Sequence, residues 1–182
     1  NEQKNYRVLA RKYRPNDFNE LIGQDSLVKT FNNSLNKGRL AHAFLLTGIR
    51  GVGKTTTARI IAKALNCVGN ENNTEPTFEI CNNCSPCKSI NKGNFLDVIE
   101  VDAASRTGVD GIREIIDAVM YSPNNARFKV YIIDEVHMLS NAAFNALLKT
   151  LEEPPENVKF IFATTEIKKI PATIISRCQR FD

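Results

Sequence analysis

Ala43-Phe-Leu-Leu-Thr-Gly48-Ile-Arg-Gly51-Val-Gly53-Lys54-Thr55 runs from a short apolar stretch into a GxxxxGKT sequence. A helical pattern follows at once, from Lys54 to Leu65. This order, strand then glycine-rich turn then helix, is the context in which the motif carries chemistry. The glycines let backbone N–H groups wrap a polyphosphate, and the helix N-terminus adds the positive end of its dipole. Lys54 then reaches the outer phosphates and the Thr55 hydroxyl is placed to ligate Mg²⁺. A glycine-rich turn that merely happens to hold Lys and Thr is the bland alternative, and the flanking strand and helix argue against it.

Working outward, three more short apolar runs recur: Phe95 to Val101, Lys129 to Ile133 and Lys159 to Ala163. Three of the four runs are nearly continuous rather than alternating, as expected of strands covered on both faces. Helical patterns lie between them. Leu27, Val28, Phe31 and Leu35 mark one, with Gly38 at its end. Val109, Ile112, Ile115, Ile116, Val119 and Met120 mark another, stopped near Pro123. A third spans about Asn141 to Glu152, capped by Ser140 and stopped by Pro154-Pro155, with Phe144, Leu147, Leu148 and Leu151 as its buried stripe. A last short helix is expected to begin at Pro171. Strands alternating with helices predict an α/β fold with a mostly parallel sheet between two helical layers, and ligands at the C-terminal strand ends. The stretch 67–92 breaks the alternation: it is Asn-rich, poor in large apolar residues and holds four of the five cysteines. It reads as a module inserted into one domain spanning 1–182.

The composition fits this picture. Of 182 residues, 42% are apolar and 24% charged, which excludes a disordered or collagenous chain. No apolar run approaches the roughly 20 residues a membrane-spanning helix needs, and residues 1–14 lack the pattern of an export signal. Lys plus Arg exceeds Asp plus Glu by 24 − 20 = 4, a balance that permits DNA contact without implying it. An odd cysteine count without an export signal favours thiols or metal ligation over disulfides, hence a reducing cytoplasm. A first residue other than Met and an end at Phe181-Asp182 lead us to expect a piece of a longer polypeptide.

Val130-Tyr-Ile-Ile-Asp134-Glu135 carries two carboxylates out of an apolar strand. A nucleotide hydrolase needs one carboxylate beside its metal and another to orient or deprotonate the attacking water. Asp134 suits the first role and Glu135 the second; taken alone, the pair would read equally well as a solvated turn. Cys67, Cys81, Cys84 and Cys87 offer four thiolates for tetrahedral Zn²⁺ in a segment too polar to build its own core. Free thiols or an iron–sulfur cluster are the other readings of that run. Thr164-Thr165 follows the fourth apolar run, where a hydroxyl senses a γ-phosphate, holds the attacking water or caps a turn. Arg177 follows an apolar turn, where an arginine is usually solvated. His42 and His137 read as structural hydrogen-bonders, and Cys178, placed in the last short helix, as a small buried residue.

Together these residues go beyond a generic phosphate-binding loop. Tyr13-Arg-Pro15, Phe18, Leu21-Ile-Gly-Gln24, Gly48 through Arg59, Asp102-Ala-Ala-Ser-Arg-Thr-Gly-Val-Asp-Gly-Ile-Arg113, Val130 through Pro155, Phe162-Ala-Thr-Thr-Glu166 and Ser176-Arg-Cys178 resemble the AAA+ module of bacterial clamp loaders. The cysteine module brings the resemblance nearest to the gamma/tau family of DNA polymerase III. The resemblance covers nearly the whole chain. It implies a P-loop NTPase fold of three αβα layers and an adenine pocket around Ala10, Tyr13, Arg14, Pro15 and Ile22. It also implies a phosphate loop formed by Gly48, Ile49, Arg50, Gly51, Val52, Gly53, Lys54, Thr55 and Thr56. Thr165, with Thr164 as second choice, is implied as the γ-phosphate sensor, and Arg177 as an arginine finger acting on ATP held by a neighbouring subunit.

The expected cofactors are ATP, Mg²⁺ and Zn²⁺, and the expected location is the bacterial cytoplasm. The expected role is a clamp-loader motor subunit whose partners are the other ring subunits, the sliding clamp and primed DNA. A helical lid and an oligomerisation domain would lie outside these residues, so the fragment alone should hydrolyse ATP negligibly. The competing readings are a nucleotide- and zinc-binding scaffold that does not hydrolyse, and a different AAA+ remodeller such as a branch-migration motor. The intact Lys54, Thr55, Asp134 and Glu135 speak against the first and the cysteine module against the second.

Overall fold

The computed structural model describes residues 15–21, 25–48, 53–69, 73–105, 109–121 and 126–182. Among the described residues five strands form one sheet: β1 (Ala43–Thr47), β2 (Val98–Asp102), β3 (Lys129–Asp134), β4 (Val158–Thr164) and β5 (Gln179–Phe181). Their order is β2-β3-β4-β1-β5 and every pairing is parallel. The helices are α1 (Asp25–Asn36), α2 (Gly53–Asn66), α3 (Ser85–Lys92), α4 (Val109–Tyr121), α5 (Asn141–Glu152) and the one-turn α6 (Ala172–Ile175).

Two apolar clusters show the layers. Phe44 and Leu46 of β1 face α1 and α2 through Leu27, Phe31, Ile60 and Leu65. Ala43 and Leu45 of the same strand face the other side, where Ile115, Val119, Phe144, Leu147 and Ile174 come from α4, α5 and α6. Burial on both faces is why β1, β3 and β4 read as continuous apolar runs. Strand β2, at the sheet edge, is half exposed. It begins at Val98, later than the expected Phe95, and Leu96 is 83% exposed in the turn before it.

The helix boundaries follow local chemistry. Ser140 Oγ accepts from Ala143 N at 3.1 Å and starts α5, as its position foretold. Gly38 closes α1 with a φ of 62°, which only glycine adopts without strain. Strand β5 was not foreseen: it has three residues, of which only Phe181 is buried, and so carries no readable period. It follows directly on the turn holding Cys178, which lies beyond α6 rather than within it.

One aromatic chain ties the inserted segment to the core. Phe78 stacks on Phe18 at 4.8 Å, Phe18 on Phe31 at 5.1 Å, Phe31 meets Phe44 at 5.9 Å, and Phe44 stacks on Phe181 at 6.2 Å. Phe18 is 2% exposed and joins three separate segments. Phe18→Ala should therefore destabilise the chain by about 3–5 kcal/mol, the range for buried aromatic truncations. Equilibrium denaturation would read this, and a loss under 1 kcal/mol would show that the stack is peripheral to the fold.

Segment 67–92 contributes little core of its own: Cys67, Cys84, Cys87 and Ile90 are its buried apolar residues. It is held on by polar clamps. Lys63, 1% exposed on α2, donates to Asn82 Oδ1 at 2.8 Å and to the Asn16 carbonyl. Arg127 donates to the carbonyls of Leu65, Cys67 and Asn73 at 3.0, 3.2 and 2.6 Å. Among the described residues no helix is long and apolar enough to cross a membrane.

Candidate functional site

The strand order reverses between β1 and β4. The chain leaves β1 toward α2 on one face of the sheet and leaves β4 toward α6 on the other, which opens a crevice at the shared C-terminal edge. Thr47 and Thr164 are paired at that edge. Lys54 lies across the crevice: its Nζ donates to the Gly48 carbonyl at 3.0 Å and to the Thr164 carbonyl at 3.1 Å. Gly48 has a φ of 144°, a value that L side chains rarely adopt. An ammonium satisfied by backbone carbonyls at a strand-to-helix turn can exchange them for phosphoryl oxygens, so the donor set fits a nucleotide phosphate.

Asp134 ends β3, in register with Asp102 at the end of β2. Burial pushes its carboxyl pKa up, and the nearby charges of Glu135 and Asp102 add to this, against the Glu135 N–H at 2.9 Å and Lys54. A divalent cation would reverse that balance, so this donor also suits Mg²⁺. Glu135 sits in the left-handed region at φ 51°, which turns its side chain out of the strand direction. Thr165 Oγ1 donates to Glu135 Oε2 at 3.3 Å. Thr164 is fully buried and its hydroxyl accepts from Glu166 N at 2.9 Å. Of the two threonines it is Thr165 whose hydroxyl meets the candidate water-orienting carboxylate.

The thiol sulfurs of Cys67, Cys81, Cys84 and Cys87 all lie within 4.8 Å of one another. Zn–S bonds of about 2.3 Å place the sulfurs of a tetrahedral site about 3.8 Å apart. The Cys67–Cys81 and Cys67–Cys84 separations are 3.6 and 3.9 Å. Backbone N–H groups of Asn83 and Cys84 point at Cys81 Sγ from 3.3 and 3.2 Å, the donors a thiolate ligand requires. Burial opposes ionisation at Cys81, but these donors bring its pKa down to about 6. Burial pushes the Cys87 thiol well up. Four sulfurs at these separations fit a closed structural ion.

Comparison with known proteins bears on this arrangement. The family model described as DNA polymerase III, delta subunit, matches residues 23–182. DNA polymerase III subunit gamma of Buchnera aphidicola (subspecies Acyrthosiphon pisum) is 58% identical over 177 residues, covering 97% of this chain and 48% of that protein. The chain belongs to the DNA polymerase III gamma/tau family. Tau subunits from Bacillus subtilis and Escherichia coli are 56% and 54% identical, each over 97% of this chain, which covers 31% and 27% of them. The chain thus spans about half the length of the gamma relatives or less. In structure, the Thermotoga maritima RuvB Holliday junction branch migration motor has a TM-score of 0.61 at 22% identity, covering 92% of this chain and 47% of that one. A gamma subunit-related protein of Thermotoga maritima has a TM-score of 0.55 at 23% identity, covering 84% and 44%. These two likenesses show the fold alone, a parallel sheet between two helical layers.

For this gamma/tau-family chain the expected site residues divide into groups. Lys54, Asp134, Glu135 and Thr165 come together at one sheet edge. Gly53 and Thr55 open α2 beside them. Pro15 and Thr56 line one cavity of about 550 Å³ with Asn16, Ile60 and Lys63. Ala10, Tyr13, Arg14 and Ile22 of the expected adenine pocket, and Ile49, Arg50, Gly51 and Val52 of the loop, lie outside the described residues. Arg177 stands apart: its side chain is 38% exposed and pairs with Glu152 at 3.3 Å. Among the described residues none of its polar contacts reaches Lys54 or Glu135. Asp102 was missed as a neighbour of Asp134 because strand register is not written in a single strand. A strand ending in Asp was the available signal.

Proposed function

We propose that this chain is the nucleotide-binding ATPase domain of a bacterial clamp-loader motor subunit, with residues 67–92 as an inserted zinc module. The supporting observation is the convergence of Lys54, Asp134, Glu135 and Thr165 on the β1/β4 crevice, in a chain 54–58% identical to gamma and tau subunits. ATP occupies the crevice with its phosphates on Lys54 and the start of α2. Thr55 and Asp134 hold Mg²⁺, which when bound neutralises charge on the transferring phosphoryl group. Glu135 orients the attacking water and takes its proton, and Thr165 fixes the Glu135 carboxylate. Pro15 and Thr56 border the side where the base and sugar would lie.

Arg177 serves a different nucleotide. An exposed guanidinium, paired with Glu152 among the described residues, is free to exchange it for a phosphoryl group on the next subunit of a ring. ATP binding then selects a ring conformation that holds an open sliding clamp, and primed DNA triggers hydrolysis and release. With a net charge of +4 the domain has little electrostatic grip on DNA by itself, so the assembled ring holds the duplex. The partners are the other ring subunits, the clamp and primed DNA, in the cytoplasm of a bacterium.

The test is ATP hydrolysis by the full-length subunit assembled with its partner subunits, with and without clamp and primed DNA. Clamp and DNA should stimulate turnover, and both Lys54→Ala and Arg177→Ala should remove the stimulation. Only Lys54→Ala should also remove nucleotide binding to the isolated subunit. A low rate indifferent to clamp, DNA and both substitutions would establish a scaffold that does not hydrolyse.

A further inference from the structure

His137 lies in the 3₁₀ turn Val136–Met138 that follows Glu135, with its side chain 6% exposed. Its ring connects residues that the sequence keeps far apart. Nδ1 is 2.9 Å from Thr164 Oγ1 at the end of β4. Nε2 is 3.4 Å from Glu135 Oε2 and 3.6 Å from Glu166 Oε2. The Thr164 hydroxyl already accepts the Glu166 N–H, and it is fully buried, so its own proton needs an acceptor. Nδ1 is the acceptor at hand among the described residues. In the tautomer that accepts the Thr164 proton at Nδ1, the ring carries its own proton on Nε2, the nitrogen that faces the two carboxylates.

Of those two carboxylates, Glu166 has a partner of its own. Lys169 Nζ lies 2.7 Å from Glu166 Oε2 and holds that carboxyl below its usual pKa range. Glu135 has no cation at this distance among the described residues. The Thr165 hydroxyl and His137 Nε2 both approach the same oxygen, Oε2. Its other oxygen, Oε1, accepts no hydrogen bond from the described residues.

We infer that His137 is a positioning residue for ATP hydrolysis, holding Glu135 by one carboxylate oxygen so that the other is presented to the attacking water. The ring is itself fixed from behind by Thr164, whose carbonyl receives Lys54. One residue at the end of β4 thereby sets both the lysine on the phosphates and, through His137, the carboxylate on the water. This rests on the ATPase reading above.

The test uses the full-length subunit in its assembled complex with clamp and primed DNA. His137→Phe keeps the ring volume and removes both ring nitrogens. His137→Gln restores one acceptor and one donor. We expect His137→Phe to lower kcat by about 10- to 100-fold, the cost of a misplaced reacting group, with KM for ATP changed by less than about twofold. His137→Gln should recover kcat to within about threefold of wild type. Zinc content and the affinity for a non-hydrolysable ATP analogue should be unaltered in both variants. A His137→Phe enzyme with wild-type kcat would overturn the inference. So would equal loss of kcat in both variants, or loss of analogue binding, since either marks a structural role. Glu135→Gln run in parallel separates the two levels: if it leaves turnover intact, the ATPase reading itself fails.

Discussion

Glu135→Gln is expected to abolish most ATP turnover by the assembled complex while leaving nucleotide binding intact. The amide keeps the volume of the carboxylate and can still accept from Thr165 at the 3.3 Å contact. It cannot take a proton from water. Removing a positioned general base costs about 10²- to 10⁴-fold in rate, so kcat should fall within that range. Affinity for ATP should stay within a few-fold of wild type, because on the proposed reading the phosphate contacts come from Lys54 and the start of α2. Single-turnover kinetics with equilibrium binding would measure both. A parallel loss of binding would assign Glu135 to holding the nucleotide or its metal instead. The neighbouring carboxylate should behave differently: Asp134, which burial and the charges of Glu135 and Asp102 already disfavour as an anion, should lose Mg²⁺-dependent binding on conversion to Asn.

Loss of the metal from the cysteine cluster should unfold segment 67–92 and leave the sheet standing. Structural zinc in isolated fingers supplies about 10–16 kcal/mol of binding free energy, against a whole-domain stability of about 5–15 kcal/mol. This segment has few buried apolar side chains to replace it. The two apolar clusters that cover the sheet draw almost all their residues from outside it. Elemental analysis should find one zinc per chain, and Cys87→Ser should lose it. Hydrogen exchange should then show amides of 73–93 unprotected and those of β1, β3 and β4 still slow. The damage should spread along two routes. Arg127 would lose the Cys67 and Asn73 carbonyls, and Lys63 would lose Asn82 while remaining buried in α2. Full zinc occupancy in Cys87→Ser, or unaltered protection of 73–93 without zinc, would refute a structural tetrathiolate site.

Much of this was legible in the chain because the physics involved is local. The run from Ala43 to Thr55 announced a strand, found at Ala43–Thr47, and a helix, found from Gly53. Ser140, Gly38 and Pro154-Pro155 marked helix ends through hydrogen bonds and φ values that depend on a few neighbours. The cysteine spacing disclosed the candidate ligand set because Cys81, Cys84 and Cys87 lie within one turn and the helix that follows it. What stayed hidden was either short or distant. Strand β5 has too few residues to show a period, and its place beside β1 rests on Phe181 meeting Phe44. Phe18 looked like any apolar residue until α1, β1 and the inserted segment met around it.

By itself, then, the sequence determined the α/β class and carried a GxxxxGKT motif, a carboxylate pair and a four-cysteine run, since each is a matter of residue type at fixed short spacing. Only the tertiary structure decided which side chains face one another across the sheet edge. Register put Asp102 beside Asp134, crossover connections brought Thr164 over Lys54, and burial of one imidazole joined Thr164 to Glu135. These pairings join residues 27 to 110 positions apart. At such separations no local preference operates, and packing of the two apolar layers against the sheet sets the geometry.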